Sequence, residues 1–338
     1  MVRVAFTLFA IALLITGGTV LGSSVRELSA LSLPVKQYGL LSGRFEEGTM
    51  LFVPDIMLGR AVEALMESHG KHVPFTYVLP VLTSYDVAIG NFEGSVPMRH
   101  KKTPNNSLQF SIRPEYLTVL RDVGFDTLSL ANNHSLDFGE DGYEHTRDAC
   151  TAASLLCVGH GERVSTSSIA RHTVGDTVVT TLMLHADGST TPEHLQSLVT
   201  YMNETSHVQF AFIHWGEEYQ LLHSEEQETL AHTLIDYGVD AIIGHHPHVI
   251  QDIALYQNRP IFYSLGNFIF DQYFNESVQE GYAVGVTFKE DAVTYTLLPY
   301  TMETRSVPKF LEGAERETFL DGVTGAESFK YGEMTYPL

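Results

Sequence analysis

The sequence predicts an α/β protein in which layered sheet is flanked by helices, followed by antiparallel strands toward the C-terminus. Short apolar runs rich in β-branched and aromatic residues alternate with amphipathic stretches over residues 49–265, which is the rhythm of βαβ units. From residue 281 the pattern becomes the alternation AVGVTF and VTYTLLPY, read as paired antiparallel strands closing an edge of the sheet. Hydrophobic residues are 44% and charged residues 18% of the 338, which supplies a core and excludes wholesale disorder.

Taken in order, Met1-Val2-Arg3 and the apolar stretch 4–21 have the form of an export signal. Val20 and Gly22 stand at −3 and −1 for cleavage after Gly22, while an apolar length of ~18 residues also suits an uncleaved anchor. Residues 1–22 are therefore a signal peptide or a membrane anchor, and the body is expected outside the cytoplasm, anchored or secreted. Residues 23–47, with no clear period, read as a linker, and 48–300 as the folded domain. Strands are predicted at 49–54, 86–90, 125–131, 208–213, 239–243 and 261–265, and helices at 59–68, 114–123, 141–153 and 225–237, where apolar positions recur three or four apart. Residues 301–338 read as an irregular extension.

The balance of 20 Lys+Arg against 41 Asp+Glu gives a formal charge of −21, which repels phosphate backbones and excludes general nucleic-acid binding. The basic cluster Arg99-His100-Lys101-Lys102 is either a solvated loop or a contact for an anionic polymer. Cys150 and Cys157 would bond in an oxidising compartment, but their spacing matches no zinc or redox motif, and both are read as buried thiols.

Function is concentrated beyond the strands, because open α/β sheets bind ligands past their carboxyl ends. FVPD places Asp55 there, AIGNFE places Asn91 and Glu93, and LSLANNH places Asn132, Asn133 and His134. FAFIHWGEEY brings His214, Glu217 and Glu218; IIGHHPH brings His245, His246 and His248; YSLGNFIFD brings Asn267 and Asp271. Carboxylate, amide and imidazole groups delivered to one edge would be costly to desolvate unless a divalent cation, one ion or two, joined them. Mixed N/O donors suit Mn, Fe or Zn better than Ca or Mg. In an extended segment His246 and His248, at i and i+2, point the same way and reach the ions together. The Asn133 amide is assigned to metal and the His134 imidazole to proton donation. Arg60 either meets an anion or pairs with Glu63. Glu217, Glu218, Asn267 and Asp271 either orient the ligand histidines or hydrogen-bond within loops. The remaining histidines outside the strand ends, His185 among them, are assigned to solvent or packing.

Together FVPDIMLGR (52–60), GNFE (90–93), LANNH (130–134) with DFG (137–139), HWGEEY (214–219), GHHPHV (244–249) and YSLGNFIFD (263–271) resemble the CapA family of poly-γ-glutamate capsule-synthesis proteins. That family's domain is similar to the calcineurin-like metallophosphatases. The resemblance implies a metallo-dependent phosphatase-like fold, with Asp55 as first metal-binding aspartate and Asn91 where a metallophosphatase carries its bridging aspartate. Asn133-His134 stands at the Asn-His pair, with His214, His246 and His248 completing the metal shell. From the strand-end reading, Glu93 is a further metal candidate that substitutes for the missing anion, and Arg60, Asn132, Glu217, His245, Asn267 and Asp271 are candidates to orient the ligands or meet substrate. Two departures stand out: Pro54 replaces the glycine that usually precedes the aspartate, and Asn91 is neutral where a dinuclear phosphatase uses an anion.

The reading that follows is a CapA-like extracytoplasmic protein of capsular poly-γ-glutamate synthesis or export. Its hydrolase-like centre would activate water near neutral pH on a phosphoester or amide bond, with His134 as acid. Its partners would be membrane capsule-synthase subunits, and its substrate an anionic polymer or a phosphoester. Two other readings are a non-catalytic assembly or polymer-guiding subunit and a secreted metallophosphoesterase.

Overall fold

The computed structural model describes residues 45–188, 190–323 and 332–337; the expected leader and nearly all of the linker lie outside them. Among the described residues no helix is long and apolar enough to cross a membrane. In chain order the first half comprises β1 (Gly48–Ile56), α1 (Arg60–His69), α2 (Leu79–Leu82), β2 (Val87–Phe92), α3 (Glu115–Asp122), β3 (Thr127–Ser129), α4 (Gly139–Ala152) and β4 (Leu156–Val158). There follow β5 (Ile169–Val174), β6 (Thr177–His185), α5 (Pro192–Thr205), β7 (Val208–His214), α6 (Glu225–Tyr237), β8 (Ala241–His245), β9 (Ile253–Tyr256) and β10 (Arg259–Phe262). The rest is β11 (Asn267–Ile269), β12 (Glu280–Lys289), β13 (Ala292–Thr304), β14 (Val307–Phe310), α7 (Gly313–Val323) and β15 (Glu333–Pro337).

Two sheets result. One runs β14-β13-β12-β1-β2-β3-β4, with β11 beside β1 and β15 beside β13; the other runs β5-β6-β7-β8-β10-β9. Alternation along β1 shows how they stack. Leu51 and Val53 face Val62, Met66, Leu117 and Leu120 of the helices α1 and α3, while Met50 and Phe52 face Phe210, Phe212 and Ile243 of the second sheet. A third core joins the far face of the second sheet to Leu195, Leu198 and Val199 of α5 and Leu234 of α6. The order of layers is thus helix, sheet, sheet, helix, and β1 is buried on both faces, which explains its unbroken apolar run.

The layered class and all ten predicted strands and helices over 49–265 recur in the structure, with ends shifted by a few residues. The antiparallel pair after residue 281 closes the β1 edge of the parallel strands β1-β2-β3-β4: β12 pairs with β1 from Gly48↔Phe288 to Phe52↔Val284, and Val284, Val286 and Phe288 bury into the core between the sheets. Two expectations are corrected. The described residues of 301–338 are not irregular, since they supply β14, α7 and β15. Cys150 and Cys157 are not thiols but a disulfide, with Cα atoms 6.1 Å apart, tying the end of α4 to β4. The hairpin β5–β6 and helix α5 have no counterpart in the sequence reading; the Thr-rich TVVTTLMLH carries too little alternation to mark a strand.

Candidate metal centre

The carboxyl ends of β1, β2 and β3 in one sheet and of β7 and β8 in the other converge at one buried point. Asp55 reaches it through a β-bulge. Val53 pairs with Gly90 and Asp55 with Asn91, which leaves Pro54 as the unpaired residue between them. Proline has no N–H to give a ladder, so a bulge accommodates it, and the bulge re-aims the carboxylate that follows. The departure at position 54 is absorbed in this way.

Around Asp55, which is fully buried, lie two sets of donors. Ligand atoms of Asp55, His214 and His245 form one group and those of Asp55, Glu93 and His248 the other, each with all its atoms within 4.8 Å of one another. His245 Nδ1 is 3.1 Å from Asp55 Oδ1 and 3.0 Å from His214 Nδ1. His248 Nδ1 is 3.2 Å from Asp55 Oδ2, and its Nε2 is 3.6 Å from Glu93 Oε1. Glu93 Oε1, His245 Nε2 and His246 Nδ1 are buried with no hydrogen-bond partner. Buried polar atoms left without a partner are costly, and a divalent cation is the group that fits the two donor sets. Backbone strain gathers here too: Arg60, Tyr219, His246 and His248 all have positive φ, at 49°, 67°, 100° and 59°.

The electrostatics match that role. Burial, with the charges of His246 and His245, holds His214 well below the ordinary histidine range; burial also lowers His245 against the pull of Asp55 and takes His246 down to about 3. These rings are neutral, the form that binds metal. Burial pushes Asp55 upward, but hydrogen bonds from His245 and His248 prevail and hold it well below the usual carboxylate range. Burial and the neighbouring Asp55 charge push Glu93 well above its usual value.

A pH dependence follows for the metal-free protein. Below about pH 6.5 the unfolded chain protonates all three histidines while the fold keeps them neutral, so acid favours unfolding. Glu93 acts oppositely, because above about pH 4.5 the unfolded chain has released a proton that the fold retains. Asp55, with its depressed value, contributes only below that interval. Burial lowers His172 in the same way and raises Asp126 and Glu280, so with four histidines against three carboxyls stability is expected to rise with pH between about 4.5 and 6.5, by up to about 1.4 kcal/mol per pH unit for each excess proton bound by the unfolded chain. Urea titrations of chelator-treated protein across that range check this, and a flat or falling profile contradicts it.

The Asn91 amide is placed differently from the metal role assigned to it. Asn132 Nδ2 donates to Phe92 O at 2.9 Å and to Asn91 Oδ1 at 3.0 Å, which fixes Asn91 with its own Nδ2 toward Asp55 Oδ1 at 2.9 Å and Glu93 Oε2 at 3.4 Å. Asn91 thus offers N–H to the carboxylates, its oxygen already engaged. Asn133 Oδ1 lies 2.9 Å from His214 Nε2. Asn267 Oδ1 holds His248 Nδ1 at 2.9 Å. His246 and His248 do not lie in an extended segment pointing one way; Pro247 sits in a bend between two positive-φ residues, and the His246 backbone N–H donates to Asp55 Oδ2 at 3.2 Å. His245, assigned to the surroundings, is within a donor group. Arg60 pairs with Asp271, not with Glu63, donates to Ser107 O and lies over the Phe110 ring at 4.6 Å. Glu217 is exposed, and Glu218 adds negative charge near Glu93.

Two residues absent from the expected set belong here. Asp137 Oδ2 accepts from His134 Nδ1 at 3.0 Å; its spacing of three from His134 was the available signal. His185 stands in register with His214 and His245 across β6, β7 and β8; with β6 unrecognised, the sequence placed it outside the strand ends and assigned it to solvent or packing.

Fold and site together define a layered α/β protein whose buried carboxylate–histidine centre suits a divalent metal. The chain belongs to the bacterial capsule synthesis protein family: residues 49–272 match the family model described as bacterial capsule synthesis protein PGA_cap. It is 34% identical over 249 residues to the capsule biosynthesis protein CapA of Bacillus anthracis, covering 67% of this chain and 61% of that protein. It is also 34% identical over 242 residues to the PGA biosynthesis protein CapA of Bacillus subtilis (strain 168), with 65% and 63% covered. The chain therefore spans about three fifths of the length of these curated relatives. Among solved structures it is similar to TT1561 of Thermus thermophilus, at a TM-score of 0.40 and 10% identity over 72% of this chain and 99% of that one.

Proposed function

We propose that the protein serves capsular poly-γ-glutamate synthesis or export outside the cytoplasm, through a divalent-metal-dependent hydrolase centre acting on a phosphoester or amide bond. The observation that carries this reading is the pair of buried donor groups sharing Asp55, in which Glu93 Oε1 and His245 Nε2 are left without a hydrogen-bond partner. Family membership supports the capsule context, and the Cys150–Cys157 disulfide suits an oxidising compartment. When bound, a divalent ion would supply Lewis-acid stabilisation of developing charge.

The chain's own groups divide the remaining work. Asp55, Glu93, His214, His245 and His248 would hold the ion or ions; Asn91 and Asn267 orient them. His134 is stacked on Phe110 at 3.9 Å, and Asp137 fixes its Nδ1–H, so Nε2, 3.9 Å from Glu93 Oε1, is the atom that holds and hands over a proton. His134→Ala is expected to lower turnover at least about 100-fold while metal content stays at the wild-type level. Elemental analysis and a phosphoesterase and amidase screen with added Mn test both parts. Full activity in the variant, or no metal and no turnover in the wild type, overturns the reading.

The alternative of a polymer-guiding subunit draws on Asn91, which places a neutral amide where a second charge would help to balance two dications. Its basic cluster, however, is partly consumed: His100 pairs with Glu63 at 2.9 Å and Lys102 with Glu67 at 2.7 Å.

A further inference from the structure

Next to the metal centre, the loop after β7 and the loop after β11 meet through two exposed rings. Tyr219 is 39% exposed and Phe274 62%, and the rings stand edge to face with centroids 5.1 Å apart. Such a pair forms an open corner, one ring its floor and the other its wall. Tyr219 joins this corner to the centre. Its backbone N–H donates to Pro247 O at 2.8 Å, between His246 and His248, and its ring centroid is 6.1 Å from that of His248. Burial and the Glu218 carboxylate push its hydroxyl above the ordinary tyrosine range, and the charges of Glu93 and Arg60 reach it as well. Tyr219 is also held in place: Gln272 Nε2 donates to its hydroxyl at 3.0 Å, and its φ of 67° is left-handed. Backbone strain retained at a locked residue that stays open to solvent fits a contact made outside the chain. Glu217, Glu218 and Glu276 are exposed within two residues of the rings, so the corner suits an uncharged group and opposes a second anion.

We propose that the corner between Tyr219 and Phe274 is a subsite for an uncharged, ring-bearing portion of the substrate, and that Tyr219 sets specificity by stacking on it. The assignment deepens the metal-centre reading and rests on it for where the reacting group lies.

The test compares phenylphosphonate with methylphosphonate, the same head group without the ring, by calorimetry on the whole chain with and without Mn. With Mn, the wild type is expected to bind the phenyl compound at least about fivefold more tightly, the scale of one aromatic contact. Tyr219→Gly removes the ring and suits the left-handed backbone, and Phe274→Ala changes an exposed position; each should bring the ratio toward one with metal content unchanged. Tyr219→Phe keeps the ring and should keep the preference, which separates stacking from hydrogen bonding by the hydroxyl. Absence of any Mn effect with the phenyl preference intact would count against the metal-centre reading alone. Equal affinity for the two compounds in the wild type, an undiminished preference in Tyr219→Gly, its loss in Tyr219→Phe, or no binding of either compound at millimolar concentration overturns the subsite.

Discussion

Asp55→Asn is expected to abolish divalent-metal binding at both donor groups, whereas Glu93→Gln should spare the group built from Asp55, His214 and His245. The difference follows from geometry: Asp55 is the member common to both sets, and Glu93 touches only one. Four donors converge on the Asp55 carboxylate, namely Asn91 Nδ2, His245 Nδ1, His248 Nδ1 and the His246 backbone N–H. Asparagine replaces one acceptor oxygen with a donor and removes the charge, so at least one buried donor faces another, at a cost of about 1–3 kcal/mol. Elemental analysis of the two variants after loading with Mn is the measurement. Wild-type metal content in Asp55→Asn would remove the shared ligand from the centre.

Phe52→Ala should cost about 3–5 kcal/mol of stability, the range for emptying a fully buried aromatic site. Phe52 is inaccessible to solvent and packs edge-on to Phe210 at 5.3 Å and against Phe212 at 5.8 Å, so its ring bridges the two sheets. The layers are pinned apart by their other contacts, and the space left by the ring cannot close easily. A urea midpoint lowered by less than about 1 kcal/mol equivalent would contradict that position for Phe52.

Much of this was legible in the sequence because strands buried on both faces leave long apolar runs, and a polar residue ending such a run is conspicuous. FVPD, GNFE, FIH and IIGHH announced Asp55, Glu93, His214 and His245 in this way. The orientation of amides was not legible: which end of Asn91 faces the carboxylates depends on Asn132, and Asn132 depends on a backbone carbonyl at Phe92. Nor was the bend at Pro247, where alternation along an extended chain gave the wrong side-chain directions because the flanking histidines are left-handed. The division into two sheets was not legible: periodicity registers that a strand is buried, not which neighbour buries it, so nothing in the apolar runs separates β7, β8 and β10 from β1, β2 and β3. The disulfide was open on spacing alone, since seven residues allow a helix end and a short strand to meet only once their packing is known.

The donors come from segments separated by more than a hundred residues, Asp55 and Glu93 from one sheet and His214, His245 and His248 from the other. No fragment containing a single sheet owns a complete ligand set. Ion affinity and cohesion between the layers are consequently two faces of one equilibrium: whatever loosens the sandwich weakens its grip on the ion, and whatever occupies the centre acts as a rivet through it.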